Sequence, residues 1–191
     1  MTETAWLILL HQLLFQSMFV AKNLVLARKL GQPIRGGNRE ASLSILFFAV
    51  FIGLSVVAAL LDEAPGQFAL LPWSITLAAG LALMMTNLVV GLASLRDLGE
   101  SWRVGVIEEQ QTALVEDGIY RYSRNPYFVS YLLMFAAYTV LLQNAILLLL
   151  SLVGFGMIHA MIRKEESYLA QTHGEAYTQY KHRVPRYLLV W

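Results

Sequence analysis

The sequence predicts an all-α integral membrane protein with five transmembrane helices, the last two forming a helical hairpin. Of its residues, 57% are hydrophobic and 14% are charged, whereas soluble domains carry about 25% charged residues. Four apolar stretches stand out, and one of them is too long for a single crossing. All 14 lysines and arginines fall on one side of a five-span arrangement. We therefore expect residues 1–191 to form a single membrane-embedded domain.

The first three apolar stretches are each long enough for one membrane crossing. They cover residues 5–27, 42–61 and 70–95. The N-terminus has neither the basic start nor the cleavage site of a signal peptide, so we expect the first span to be retained. The third stretch has one face of small and polar residues, which favours close helix packing in lipid. That face comprises Gly80, Met84, Asn87, Gly91 and Ser94.

The fourth apolar stretch, from Phe128 to Ile162, has to turn back on itself. A single helix of this length would reach about 50 Å, against a hydrocarbon core of about 30 Å. Gln143 and Asn144 are its strongly polar pair. We therefore predict a tight helical hairpin at these two residues.

The basic residues predict the orientation of the chain. They follow the first span, lie between the third and fourth, and follow the fifth, whereas the opposite loops hold no lysine or arginine. Under the positive-inside rule the N-terminus is outside and the C-terminus is cytoplasmic. Residues 96–127 and 163–191 then lie in the cytoplasm. We expect a multi-pass protein of the cell (inner) membrane.

Residues 114–130, "LVEDGIYRYSRNPYFVS", form a polar and aromatic segment directly before the fourth stretch. One interpretation is a well-capped helix, because Asn125 suits the N-cap and Pro126 suits the first turn. The tyrosines would then belong to an interfacial belt. In the amphipathic tail, Tyr177 and Tyr180 are expected at the same headgroup level, together with Leu169.

The pair Glu165 and Glu166 is unusual because the C-terminal end of a helix favours cations. Neighbouring basic residues can compensate, or one of the carboxylates meets the cationic part of a ligand. His159, an ionisable residue at membrane depth, is a further site candidate or a simple hydrogen-bonded histidine. The absence of cysteine excludes thiol chemistry. The histidines lack metal-ligand spacing, and neither a phosphate-binding loop nor a nucleic-acid surface is evident.

Four segments together resemble the isoprenylcysteine carboxyl methyltransferases and their relatives, the phospholipid methyltransferases. They are "LGESWR" (98–103), "TALVEDGIYRYSRNPYF" (112–128), "RKEESYL" (163–169) and "HGEAYTQYKHRVPR" (173–186). The resemblance covers residues 98–186, which it marks as the cofactor-binding and catalytic part. It implies S-adenosyl-L-methionine as cofactor. By position, the implied cofactor-binding residues are Thr112, Ala113, Leu114, Val115, Tyr120, Asn125, Pro126, Tyr127, Phe128 and Glu165.

The resemblance implies methyl transfer to a lipophilic substrate at the cytoplasmic membrane interface, with membrane lipids around the protein. Whether the acceptor atom is oxygen, nitrogen or sulfur stays open, as does the oligomeric state. A general base is needed only if the acceptor must lose a proton, and His159 and Glu166 are the candidates. Arg163 is the candidate for binding a substrate carboxylate.

Several positions depart from the family pattern. Asn125 stands in place of the usual histidine, Phe128 in place of a tyrosine and Ser130 in place of a frequent glycine. Met161 stands where the carboxyl methyltransferases place an arginine for the substrate carboxylate. Arg163 is two residues further on and faces away from that position unless the helix ends there. We therefore favour a neutral or phenolic lipid-like acceptor, or a lipid amine, over a prenylcysteine carboxylate.

Two other functions stay open from the sequence. A sterol-reductase-like enzyme that uses NADPH shares a similar C-terminal hairpin, but the acidic pair and the paired tyrosines of the tail favour methyl transfer. A non-enzymatic transporter or scaffold would show polar residues at mid-membrane and perhaps an inverted repeat. The sequence shows few such residues and no repeat.

Overall fold

The computed structural model describes residues 3–31, 39–61, 63–103 and 113–188, with backbone only at 39–41. The described chain is helical, apart from one isolated β-bridge between Gln67 and Asn144. Short 3-10 turns lie at Gly99–Ser101 and Gly118–Arg121. The α-helices are α1 (Glu3–Leu30), α2 (Arg39–Leu60), α3 (Trp73–Leu98), α4 (Pro126–Leu142), α5 (Ala145–His173) and α6 (Glu175–Arg183). The all-α fold class is confirmed.

Four helical segments of the described chain are long and apolar enough to cross a membrane. These segments are Glu3–Leu30, Ser42–Leu60, Trp73–Ser101 and Ala145–His173. The remaining apolar helix, Pro126–Leu142, has 17 residues and spans about 25 Å. The fifth span and the orientation of the termini therefore remain predictions.

The hairpin predicted at Gln143 and Asn144 is present. Helix α4 ends at Leu142 and α5 begins at Ala145. Gln143 adopts the left-handed conformation with φ 43°, which reverses the chain. The Asn144 side chain caps α5 by accepting hydrogen bonds from the backbone N–H groups of residues 146 and 147, at 2.9 and 3.2 Å. The turn thus satisfies backbone donors that hydrocarbon would leave unpaired.

The small face of α3 is buried, as predicted. Its glycines allow close approach of neighbouring helices. A Cβ atom on Gly80 would lie 3.0 Å from Leu141 of α4, and one on Gly91 would lie 3.0 Å from the Phe15 ring of α1. Helix α3 therefore packs closely against both α1 and α4.

A buried polar cluster joins α1 to α3 and α4. Gln12 donates to the Tyr138 hydroxyl at 2.7 Å, and Gln16 donates to Gln12 at 3.3 Å. His11 is 2.7 Å from the same hydroxyl and 3.2 Å from the Met84 carbonyl oxygen. Because these polar groups lie among apolar side chains, their mutual hydrogen bonds fix the register of α1.

The tail does not place its tyrosines at the membrane interface, contrary to the sequence prediction. Tyr177 and Tyr180 are buried inside the protein, where they pack with Val184, Leu114 and Leu169. The Tyr180 hydroxyl donates to the Tyr120 carbonyl oxygen at 2.8 Å. Protein contacts satisfy both the apolar rings and this hydroxyl, so α6 folds against the segment before α4.

Candidate active site

The segment before α4 and the C-terminal tail fold together at the end of the α4–α5 hairpin. The Arg124 N–H donates to the Pro185 carbonyl oxygen at 2.9 Å, and the Arg124 guanidinium donates to the Val184 carbonyl oxygen at 2.5 Å. The Ser123 hydroxyl donates to the Arg186 carbonyl oxygen at 3.1 Å. We call residues 184–188 the strap, because they cross the start of α4 and reach α5.

Glu166 is the ionic centre of this junction and is only 6% exposed. Its carboxylate accepts hydrogen bonds from Arg124 at 3.1 and 3.2 Å and from Arg186 at 2.8 to 3.2 Å. The Asn125 amide donates to it at 3.0 Å. A buried carboxylate requires such partners. The two guanidinium groups therefore explain how Glu166 is buried, and the acidic pair does not lie at a helix end as the sequence suggested, because α5 continues to His173.

Asn125 occupies the N-cap position of α4, but its side chain does not cap the helix. Its amide group donates instead to Glu166 and to the Arg186 carbonyl oxygen, at 3.0 and 3.2 Å. The capping role inferred from the sequence is therefore wrong. The hydrogen bonds to Glu166 and Arg186 hold the Asn125 side chain in an orientation in which it does not cap the helix. Pro126 lies in the first turn of α4, as predicted.

Glu165 has a different environment from its neighbour. Its side chain is exposed, and none of the residues that the structure describes hydrogen-bonds or ion-pairs with it. Burial raises the pKa of Tyr120 far above its ordinary value, and the Glu165 carboxylate is the strongest nearby charge that raises it further. An unpaired carboxylate thus lies close to a buried phenol, on the side of α5 that faces the segment before α4.

Tyr127, beside this carboxylate, is the centre of an aromatic cluster. Its ring lies 4.7 Å from that of Trp102 and 5.4 Å from that of Phe19, both in edge-to-face geometry. Tyr131 follows one turn later at 5.3 Å. The Trp102 indole donates to Asn23 at 2.7 Å. Phe19 and Trp102 escaped the sequence analysis as site residues, although Trp102 lies in the quoted segment "LGESWR".

The remaining predicted cofactor residues lie before and within α4. Ala113, Leu114 and Val115 have no regular secondary structure, and the Ala113 carbonyl oxygen accepts a hydrogen bond from the Ser101 hydroxyl at 3.2 Å. Phe128 is buried in the first turns of α4. Thr112 lies outside the described residues, so its predicted role is untested.

Asp97 positions the turn that carries Tyr120. Its carboxylate accepts a hydrogen bond from the Ile119 N–H at 2.8 Å. Gly118 has φ 63°, and a Cβ atom there would overlap the Asp97 carboxylate. Only glycine combines this conformation with this close approach. The sequence analysis missed Asp97 because its acceptor role depends on a contact 22 residues away.

His159 and Arg163 lie on another face of α5. The Nδ1 atom of His159 is 2.9 Å from the Tyr187 hydroxyl. Arg163 is exposed, and no described residue pairs with it. Since a helix turns about 100° per residue, Arg163 points about 160° away from Glu165. The structure therefore does not bring these two predicted catalytic residues to Glu165.

Met161 contacts α2, where the Ser44 hydroxyl lies 3.0 Å from its sulfur. Helix α5 continues unbroken to His173. Because the helix does not end near residue 163, Arg163 keeps its helical direction. Its side chain therefore points away from the position of Met161, as the helical spacing predicts.

The chemistry of the described side chains fits an organic cation. No group of three or more metal-ligating side chains occurs within the described residues. The unpaired Glu165 carboxylate and the aromatic cluster around Tyr127 are the usual partners of an organic cation. S-adenosylmethionine carries both a sulfonium and an ammonium group, so the residues present fit it.

Sequence comparison identifies the family. A sequence model of the phospholipid methyltransferase family matches residues 75–176, more than half of the chain. The chain belongs to the phospholipid methyltransferase family. The matched range contains α4, the acidic pair and Tyr120, which the resemblance to this family had singled out.

This member of the phospholipid methyltransferase family is also similar to a protein-S-isoprenylcysteine O-methyltransferase of Schizosaccharomyces pombe. The two sequences are 40% identical over 73 residues, which is 38% of this chain and 31% of the relative. The match thus spans less than a third of the relative's length. Together the two similarities confirm the predicted family, and they favour a membrane methyltransferase over a reductase or a transporter.

Proposed function

We propose that the protein transfers a methyl group from S-adenosylmethionine to a lipophilic acceptor at the membrane surface. The observation that carries the proposal is Glu165, an exposed carboxylate beside Tyr120 within the family-matched region, for which the described residues provide no hydrogen-bonding or ionic partner. Its neighbour Glu166 has two guanidinium partners. One carboxylate of the pair therefore serves the fold, and the other is free to hold a ligand cation.

Different residues of the site would bind different parts of the cofactor. The cofactor supplies a methyl group already activated on a sulfonium. Glu165 neutralises positive charge, and the ring of Tyr127, which is only partly buried, favours a cation through its quadrupole. The segment 113–115 and Tyr120 form the wall opposite α5. The aromatic rings exclude water from the transfer, in which charge is partly neutralised.

The Glu166 junction has a positioning role in this proposal. It holds Asn125 and the start of α4 against α5 through hydrogen bonds of 3.0 to 3.2 Å. A carboxylate between two guanidinium groups is a weak base, because its partners stabilise the charged form. His159 faces elsewhere. A general base at either residue stays a prediction, and an acceptor with a free lone pair would need none.

The proposed topology has five spans, with α4 as the fourth crossing. Its 17 residues lie at the lower limit for crossing a bilayer. Both the segment before α4 and the tail then lie in the cytoplasm, where the basic residues are. Residues 98–186 form the catalytic part of a single domain, and the acceptor enters sideways from the bilayer.

The acceptor class follows from Met161. By the family pattern, the carboxyl methyltransferases have an arginine at this position. Met161 instead has an uncharged thioether, which contacts the Ser44 hydroxyl. Arg163 faces away from that position. The local match to an isoprenylcysteine O-methyltransferase covers only 31% of that relative. We therefore favour a neutral or phenolic lipid-like acceptor, or a lipid amine, over a prenylcysteine carboxylate.

Radiolabelled methyl transfer tests the proposal. The purified protein is incubated with methyl-labelled S-adenosylmethionine and either a membrane-lipid extract or N-acetyl-farnesylcysteine. We expect label in the lipid fraction, reduced at least about tenfold by Glu165→Gln at a cofactor concentration below saturation and retained by Glu175→Gln, which changes an exposed carboxylate of α6. Label in neither acceptor would contradict the proposed activity. Efficient labelling of farnesylcysteine, undiminished by Arg163→Ala, would contradict the acceptor class.

A further inference from the structure

A groove on the outer surface of the α4–α5 hairpin has no role in the proposed reaction. It has a volume of about 350 Å³. Its hydroxyl groups, on Thr139 and Ser151, bond to each other at 2.9 Å, so its surface is apolar. The residues lining it are Leu132, Phe135, Ala136, Thr139, Val140, Leu148, Ser151, Leu152 and Phe155.

The groove continues along α5 into a polar cluster. Phe155, His159 and Arg163 follow one another at four-residue spacing and therefore share one face of the helix. The Tyr187 ring of the strap lies 6.0 Å from that of Phe155, and its hydroxyl lies 2.9 Å from His159. Arg163 is exposed and has no partner among the described residues. An apolar groove thus ends at a phenol, an imidazole and an unpaired cation.

This strip is separate from the proposed methyl-transfer site. Arg163 points about 160° away from Glu165 around α5, by the helical rotation of 100° per residue. The buried Glu166 junction and the strap lie between the two faces. A ligand on the strip would therefore not approach the Glu165 carboxylate.

The apolar groove lies within reach of a lipid whose headgroup is at Arg163. Phe155 is the groove residue nearest to Arg163 along α5, and the helix rises about 12 Å between them, whereas half of the hydrocarbon core is about 15 Å thick. Arginine pairs well with phosphate oxygens, and basic sites between membrane helices bind anionic lipid headgroups. The charge and length of the strip thus fit a lipid of the leaflet on the basic side of the protein.

We propose that this strip is a binding site for one anionic phospholipid. The phosphate binds Arg163, with the Tyr187–His159 pair beside it, and an acyl chain lies in the groove between α4 and α5. The bound lipid contacts both the strap and α5, so it stabilises the contact between them. The inference needs the helices to lie in a bilayer, but it does not depend on methyl transfer.

Native mass spectrometry of the full-length protein in detergent tests the headgroup contact. Dioleoylphosphatidylglycerol is added without cofactor or acceptor, and dioleoylglycerol, which has the same acyl chains but no phosphate, is the neutral comparison. Arg163→Gln should lower the affinity for phosphatidylglycerol about tenfold, as expected for one charge-assisted contact, and leave that for dioleoylglycerol unchanged. The matched control is Arg28→Gln, which removes another exposed arginine without a described partner, at the end of α1.

Equal phosphatidylglycerol binding by Arg163→Gln and the wild type would overturn the proposal. An equal loss in Arg28→Gln would also overturn it, since binding would then follow net charge. Excess inorganic phosphate should not displace the lipid, because it lacks the chain that occupies the groove. Displacement by phosphate alone would show an anion site without a lipid.

A second variant tests the groove. Ala136→Phe fills it, whereas Val153→Phe adds the same ring at an exposed position of α5 outside the groove. We expect about tenfold weaker phosphatidylglycerol binding only in Ala136→Phe. A dimer mass in the wild type that Ala136→Phe abolishes would identify a second copy of the chain as the occupant and overturn the proposal. Because no cofactor is present, failure here is distinct from failure of the proposed function.

Discussion

The Glu166 carboxylate lies 2.8 Å from the Arg186 guanidinium and thereby joins the C-terminal strap to α5. The pair is largely buried, with 7% and 23% of the two side chains exposed. Its position at the mouth of the helical hairpin makes it the principal ionic contact between tail and hairpin. Four predictions follow from the arrangement around it.

Removing the Glu166 charge should destabilise the protein. Glu166→Gln leaves the guanidinium groups of Arg124 and Arg186 without their carboxylate, and breaking a buried pair typically costs about 3–5 kcal/mol. We expect Tm to fall by about 6 °C or more, measured by tryptophan fluorescence in detergent. The control is Glu175→Gln on α6, which should change Tm little. An unchanged Tm for Glu166→Gln would show that the junction does not hold the tail.

The Gly118 turn should tolerate no side chain. Gly118→Ala places a Cβ against Asp97 in addition to the cost of its positive φ of 63°. Gly31→Ala is the matched control, because Gly31 has φ 60° and open space around it. A positive φ alone costs about 1–2 kcal/mol for a residue with a side chain. Gly118→Ala should therefore lower Tm more than Gly31→Ala, and equal losses would rule out the contact with Asp97.

Labelling of single cysteines should establish the topology. The chain contains no cysteine, so a cysteine at Glu63 or Asp117, both exposed, reports one side of the membrane each. In sealed inside-out vesicles, a membrane-impermeant maleimide should label Asp117→Cys and spare Glu63→Cys until detergent is added. The opposite pattern would reverse the orientation, and labelling of both before detergent would contradict α3 as the crossing that separates the two sites.

The elements that depend on local pattern could be predicted from the sequence. The hairpin at Gln143 and Asn144 follows from an apolar run too long for one crossing, and the small face of α3 follows from helical spacing. Both rest on residues within one stretch. Helix α4 is different, because its 17 residues are at the lower limit for a membrane crossing. Its length alone therefore does not establish that it crosses the membrane.

The sequence does not predict which carboxylate of the acidic pair is buried in ion pairs and which is exposed. Which carboxylate is buried depends on the rotation of α5 relative to the strap, and its partners lie 20 and 42 residues away. The same long-range acceptors divert the Asn125 side chain from capping α4. The burial of Tyr177 and Tyr180 likewise depends on where α6 docks, which amphipathic spacing alone does not determine.

The role of Glu165 gives the fourth and most direct prediction. Calorimetric titration of the detergent-purified protein with S-adenosylhomocysteine measures the site without an acceptor, and NADPH serves as the comparison ligand. S-adenosylhomocysteine keeps the ammonium group but lacks the sulfonium, so its binding reports the contact to the amino end of the cofactor. We expect saturable binding by the wild type and no heat with NADPH.

The same titration is then made with Glu165→Gln and with the control Glu175→Gln, after both are shown to keep the wild-type Tm. Loss of one charge-assisted contact, about 1.5–3 kcal/mol, should weaken the affinity of Glu165→Gln for S-adenosylhomocysteine at least about tenfold. Glu175→Gln should bind like the wild type. Wild-type affinity in Glu165→Gln, or no binding by the wild type itself, would contradict a cofactor site at Glu165.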